Sequence, residues 1–308
     1  DNEAKEYKSD LALRVYTSRL LGVDSNLVLH GGGNTSVKSQ VHNEDILYVK
    51  GSGWDLSSIE EKGFAPVKLL PLIEMAKLDE LTDSKMVKLQ REAMIDESAP
   101  NPSIEAILHA IIPFKYVDHT HSDAVVTISN TPNGEKVIKD IYPNYLIIPY
   151  VMPGFILAKT IYELSKDISW DSCEGIILLN HGIFTFDDDA KISYEKMIDA
   201  VNISEDYLEV NCKFDYIKAK NDTFDYKLLK NTISKIKGFE VEIKINRSEI
   251  AQTFVNDVNI EEFSKKGILT PEHIIRTKRF PLFIDGDIQN ALDNYMNEYE
   301  EYFDTFKT

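Results

Sequence analysis

Between residues 27 and 53 three short β-prone runs alternate with glycine-rich or polar breaks: LVLH, then GGGN, TSVKS, a polar stretch, ILYVK and finally GSG. Runs this short and this closely punctuated read as strands joined by turns, because a helix needs a longer periodic stretch. The segment therefore predicts an antiparallel meander with strands at 27–30, 35–39 and 46–50. A helix precedes it over 7–22, with apolar residues at helical spacing and Gly22 as its stop.

The rest of the chain alternates helix and strand signals. Residues 66–96 are charged and helical, and 102–114 read as a helix with Pro102 at its start. Residues 116–129 predict a long buried strand and 145–150 a short one, with a helix at 154–166. GIILLN (175–180) and IFTFDD (183–188) form a hairpin around His181 and Gly182, and 189–214 is a long amphipathic helix. After about residue 215 the chain becomes more charged, with weak alternation at 239–245 and a helical acidic tail at 287–308. The expected organisation is a core domain over 1–214 and a C-terminal α+β extension over 215–308.

Charge narrows the function. The 308 residues carry 51 Asp and Glu against 34 Lys and Arg, a net charge of −17. Sequence-independent nucleic-acid binding needs cations against phosphate, and docking on an anionic membrane needs them too, so neither partner is expected. An anionic small molecule remains compatible if a metal or oriented N–H groups supply local positive potential. Two cysteines, Cys173 and Cys212, make no disulfide framework. No run of about 18 apolar residues occurs, and DNEAKEYKSD is not a signal peptide, so a cytoplasmic protein is expected.

The chemistry-bearing residues are few. His119 and His121 are two apart at a strand mouth, where side chains at i and i+2 share a face. His181 sits at a strand-to-strand turn 60 residues later. Three neutral imidazoles with one open position would suit a catalytic zinc ion. The pattern alone leaves His30 and His109 open as well, and each histidine also reads as an ordinary hydrogen-bonding residue. Glu105 stands in the first turn of the 102–114 helix, where an acidic residue also complements the helix dipole. HGGGNTSVK is neither a P-loop nor a dinucleotide fingerprint, since its glycines are consecutive and a strand follows. With GSG at 51–53 it places two small-residue turns at one end of the meander.

Taken in order, HGGGNTSVK, VKGSGWDL, PSIEAILHA, VDHTHSDA and LLNHGIF resemble the class II aldolase/adducin family. The likeness is strongest to its longer members related to rhamnulose-1-phosphate aldolase, as PGF (153–155) and TPEHIIRTK (270–278) also suggest. The resemblance implies a three-layer α/β/α fold with a mainly antiparallel central sheet, and a homotetramer. It implies zinc, or another divalent metal, on His119, His121 and His181, with Glu105 as general acid/base. It assigns the substrate phosphate to Asn34, Ser36, Ser52, Gly53 and Ser103. The implied reaction is cleavage of a ketose 1-phosphate to dihydroxyacetone phosphate and an aldehyde through a metal-stabilised enediolate. Ile104 departs from the small members, which often carry Ser there. No nucleotide-binding domain follows, so dehydrogenase activity is not expected. Two alternatives stand beside the aldolase: a sugar-phosphate dehydratase or epimerase of the same fold, and a metal-free adducin-like interaction module. Epimerase relatives tend to carry Asp where Glu105 stands.

Overall fold

The computed structural model describes residues 3–213, 216 and 224–307. Its strands are β1 (Asn34–Val41), β2 (Glu44–Lys50), β3 (Phe64–Lys68), β4 (Tyr116–Thr120), β5 (Tyr145–Ile148), β6 (Gly175–Leu178) and β7 (Gly182–Asp187). They form one sheet in the order β3-β2-β1-β4-β7-β6-β5. Every neighbouring pair is antiparallel except β5 with β6.

Helices α1 (Asp10–Gly22), α2 (Leu69–Lys77), α3 (Asp83–Glu92), α4 (Ala106–Ile111), α5 (Asp123–Ser129), α6 (Gly134–Ile141), α7 (Phe155–Leu164) and α8 (Ala190–Asn211) cover it. The two-residue period of the strands divides the core between two faces. Ile176, Leu178, Phe184 and Phe186 pack with α2, α3, α4 and α7, whereas Ile177 and Ile183 pack with α5, α6 and α8. The result is the expected α/β/α sandwich with a mostly antiparallel sheet. No helix among the described residues is long and apolar enough to cross a membrane.

Contacts divide the chain into two units. The first runs to Cys212 and takes in Leu269–Glu272; the second comprises the residues from Lys213 to Ile268 and from His273 onward. The described part of the second is built from α9 (Tyr226–Lys237), α10 (Glu249–Val255), α11 (Ile260–Ser264), α12 (Pro271–Arg276) and α13 (Ile288–Phe306), with Pro271 and Glu272 of α12 counted in the first unit. The expected α+β extension is therefore helical among the described residues. Residues 239–245 form no strand.

Four local readings change. LVLH is a turn, not a strand: Leu27 and Val28 donate to Asp24 O, and His30 takes φ 49°, which extended backbone does not allow. The meander is present one strand later, as β1, β2 and β3. β3 was hidden by Pro66, which removes a ladder donor and is tolerated because β3 is the sheet edge. The 116–129 strand stops at Thr120, and DAVVTIS forms α5. Short apolar runs do not distinguish the two structures by pattern. The 102–114 helix begins only at Ala106; Pro102 instead bridges to Gly51, and Glu105 becomes the residue before the helix.

Behind β4, on the face opposite His119, Asp118 pairs with Arg14 of α1 and accepts from Ser193 of α8. All three side chains are fully buried. Asp118→Ala would leave the Arg14 guanidinium buried without its counter-charge. Denaturant unfolding should show a loss of about 3–5 kcal/mol, and a loss below about 1 kcal/mol would contradict this role.

Candidate metal and catalytic site

Three adjacent strands place the site. The register sets Asn34 of β1 beside His119 of β4, and His119 beside Phe184 of β7. His119 stacks on Phe184 with ring centroids 4.0 Å apart. His121 follows the end of β4 and turns the same way. His181 comes from the β6–β7 turn, which is anchored by Asn180 at φ 60° with its side chain donating to Ser129 O and Asn130. Gly182 is required there, because a Cβ would meet Thr120 O at 2.3 Å.

The three imidazoles offer ligand atoms that all lie within 4.8 Å of one another. His119 Nε2 and His121 Nε2 are 3.1 Å apart. Two nitrogens each about 2.0–2.1 Å from one tetrahedral ion stand roughly 3.3 Å apart. Burial pushes the pKa of His119 well below the ordinary value, with His121 and His181 adding to the effect, and burial also lowers His181. These two rings are neutral at pH 7 and have lone pairs to give. His119 Nδ1 lies 3.0 Å from Ile183 O, so it carries the proton and leaves Nε2 as the ligand atom.

Glu105 closes the group. Its Oε1 is 3.3 Å from His181 Nε2 and its Oε2 is 3.5 Å from His119 Nε2. As the residue before α4 it takes φ −92° and ψ 10° and makes no side-chain cap, so the carboxylate faces the histidines instead of the helix N–H groups. Among the described residues, Glu105 Oε1 and His181 Nδ1 are buried polar atoms without hydrogen-bond partners. Three imidazoles whose nitrogens converge are the donor set of a divalent metal, and the Glu105 carboxylate stands beside them. The residues present fit such an ion.

A relay holds Glu105. Asn34 Nδ2 donates to Glu105 Oε2 at 2.6 Å, His109 Nε2 meets Asn34 Oδ1, and Ser36 Oγ meets His109 Nδ1 at 2.8 Å. The amide acceptor fixes His109 with its proton on Nε2, so Ser36 donates to Nδ1. Burial lowers the His109 pKa strongly, which keeps that ring neutral.

The five residues read as phosphate contacts fall into two groups. Asn34 and Ser36 are buried, and their side-chain atoms are committed to Glu105 and His109. Ser52 and Gly53 are exposed and Ser103 is half-buried. The Gly51–Pro102 bridge and the Ser52 N–H donating to Asn101 O bring those two turns together.

Two residues escaped sequence reasoning. Lys50 is buried at the end of β2, donates to Gly31 O at 2.8 Å, and has its pKa lowered to about 8 by burial, against the opposing pull of Asp55, Glu105 and Glu272. Its place at the end of an apolar strand gave no signal beyond an ordinary terminal lysine. Glu272 lies 2.8 Å from His121 Nδ1. Burial opposes its charge, but the side-chain hydrogen bonds from His121 and Thr270 help outweigh this and hold its pKa at about 2.

Comparison with known proteins agrees with this fold. The model of the class II aldolase and adducin N-terminal domain matches residues 12–208, and that of the second domain of class II aldolases matches residues 222–308. The chain belongs to the class II aldolase and adducin family. It is 32% identical to a Bacillus subtilis (strain 168) protein named uncharacterized oxidoreductase YuxG, over 94% of this chain and 46% of that protein. The chain thus spans about half the length of that relative. The N-terminal class II aldolase domain of a conserved protein from Thermoplasma acidophilum superposes with a TM-score of 0.61 at 39% identity, over 66% of this chain and 95% of that one.

Proposed function

We propose that the chain is a metal-dependent aldolase that cleaves a ketose 1-phosphate into dihydroxyacetone phosphate and an aldehyde. The observation that supports this most is the placement of Glu105. One carboxylate oxygen is held by Asn34, and the other is buried beside His181 with no hydrogen bond of its own. That second oxygen is free to take or return a proton at a carbon next to a substrate carbonyl.

His119, His121 and His181 would hold the metal, and zinc is the natural ion for three imidazoles. When bound, the ion would supply Lewis-acid stabilisation of negative charge that develops on the substrate. Ser36 and His109 fix Asn34, and Asn34 fixes the carboxylate. Ser52, Gly53 and Ser103 present donors for the phosphate, and the Lys50 ammonium offsets part of the acidic field around them. No lysine Schiff base is required by this arrangement, since the metal takes the place of the electron sink.

The test is the half-reaction with dihydroxyacetone phosphate alone in deuterated water, followed by proton NMR. The aldehyde need not be known. Exchange of one C3 proton that depends on the protein and stops with a chelator is the expected result. Absence of exchange with metal bound would overturn the aldolase in favour of a dehydratase or epimerase. Absence of both exchange and metal binding would favour an interaction module.

A further inference from the structure

We propose that Glu272 is part of the metal centre, as the carboxylate that orients His121 and raises its affinity for the ion. The inference rests on the three-histidine reading of the site. Glu272 Oε2 lies 2.8 Å from His121 Nδ1, and His121 Nε2 faces His119 Nε2. A carboxylate on one ring nitrogen fixes the proton there, so the other nitrogen presents its lone pair. His119 achieves the same polarity with the Ile183 carbonyl. His121 stands beyond the end of β4, with no strand neighbour across from it in the ladder. It therefore depends on a side chain for the same service.

The fold makes room for this carboxylate. Thr270 and Glu272 are 3% and 8% exposed, although most residues on either side of them are open to solvent. Contacts assign Leu269–Glu272 to the first unit while the residues flanking them in sequence belong to the second. The turn that precedes β1 accommodates the same group: a Cβ on Gly32 would meet the Glu272 carboxyl carbon at 2.6 Å. Gly32 has no positive φ, so the backbone there accepts alanine, and the three atoms nearest an added Cβ all belong to the Glu272 side chain. The middle glycine of GGG is thereby explained by a residue 240 positions later in the chain.

The experiment measures zinc affinity of the full chain by competition with a chromogenic chelator. Wild type, Glu272→Gln, Glu272→Ala and Gly32→Ala are compared, with thermal melting of the chelator-treated proteins as the control for folding. Glu272→Ala should bind zinc about 10–100-fold more weakly. Glu272→Gln keeps an acceptor but not the charge and should fall between it and wild type. Gly32→Ala removes no polar group, yet it should weaken zinc by displacing Glu272. In zinc-loaded wild type, nitrogen-resolved NMR should place the His121 proton on Nδ1. Wild-type affinity in Glu272→Gln and Gly32→Ala, both folded, would overturn the role of Glu272 and leave the histidine site standing. A wild-type chain that binds no zinc would overturn the metal reading itself, and that outcome appears before any variant is compared.

Discussion

Glu105→Gln should lower turnover by about 10²–10⁴-fold while leaving zinc bound. The reasoning starts from what the amide retains. Gln has the same length, so Asn34 keeps a side-chain oxygen to donate to, and the relay through His109 and Ser36 stays in place. The three imidazoles are untouched, so the metal keeps its ligands. What disappears is the basic oxygen beside His181, and an amide neither takes nor returns a proton at neutral pH. The loss should therefore appear in kcat, with KM for the phosphorylated substrate close to wild type. The deuterium exchange of dihydroxyacetone phosphate should fall in parallel. Near-normal exchange in a zinc-loaded Glu105→Gln protein would remove Glu105 from the chemistry.

Pattern offered His119, His121 and His181 as candidates but left His30 and His109 open beside them, and the family resemblance singled out the three histidines with Glu105. His119 and His121 share a direction through strand periodicity, and His181 rides a turn that Gly182 makes possible. The sandwich as a whole came from the family resemblance, whereas its β6–β7 hairpin and α8 were legible from pattern. The runs GIILLN and IFTFDD alternate strictly between two apolar clusters, and α8 is long enough to be unambiguous. Failures came where tertiary contact overrides local pattern. LVLH has strand composition, but Asp24 and the left-handed His30 turn it. Pro66 disguises a strand that an edge position tolerates. Glu105 was placed in a helical turn, although it stands just before the helix and faces the site. Glu272 lies within TPEHIIRTK, read only for its family likeness, and its role gave no signal, since its partner His121 is 151 residues away. The commitment of Asn34 and Ser36 to Glu105 and His109 was invisible for the same reason: it exists only once the start of α4 lies against β1.

His181→Ala should abolish stoichiometric zinc binding. Of the three imidazoles, His181 gives the cleanest test. His119 is tied to Ile183 O and stacked on Phe184, and His121 is tied to Glu272, so removing either also removes structural contacts. His181 Nδ1 has no hydrogen-bond partner among the described residues, so its loss leaves no broken hydrogen bond behind. Losing an outer-shell partner typically costs about 10–100-fold in metal affinity, and losing a ligand should exceed that. The chelator-treated variant should melt close to chelator-treated wild type, whereas added zinc should raise the melting temperature of wild type alone. Acid should mimic the substitution. The folded-state pKa values of His119 and His181 lie below the unfolded value of about 6.5, because burial disfavours their charged forms. Between those values the unfolded chain binds more protons than the folded one, so stability falls as pH drops below about 6.5. Zinc held by neutral rings deepens the effect, since protons compete for the same nitrogens. Zinc release on acidification from pH 7 to pH 5, reversed on return to neutrality, is the expected titration. Full zinc occupancy in His181→Ala at pH 7 would take His181 out of the ligand set.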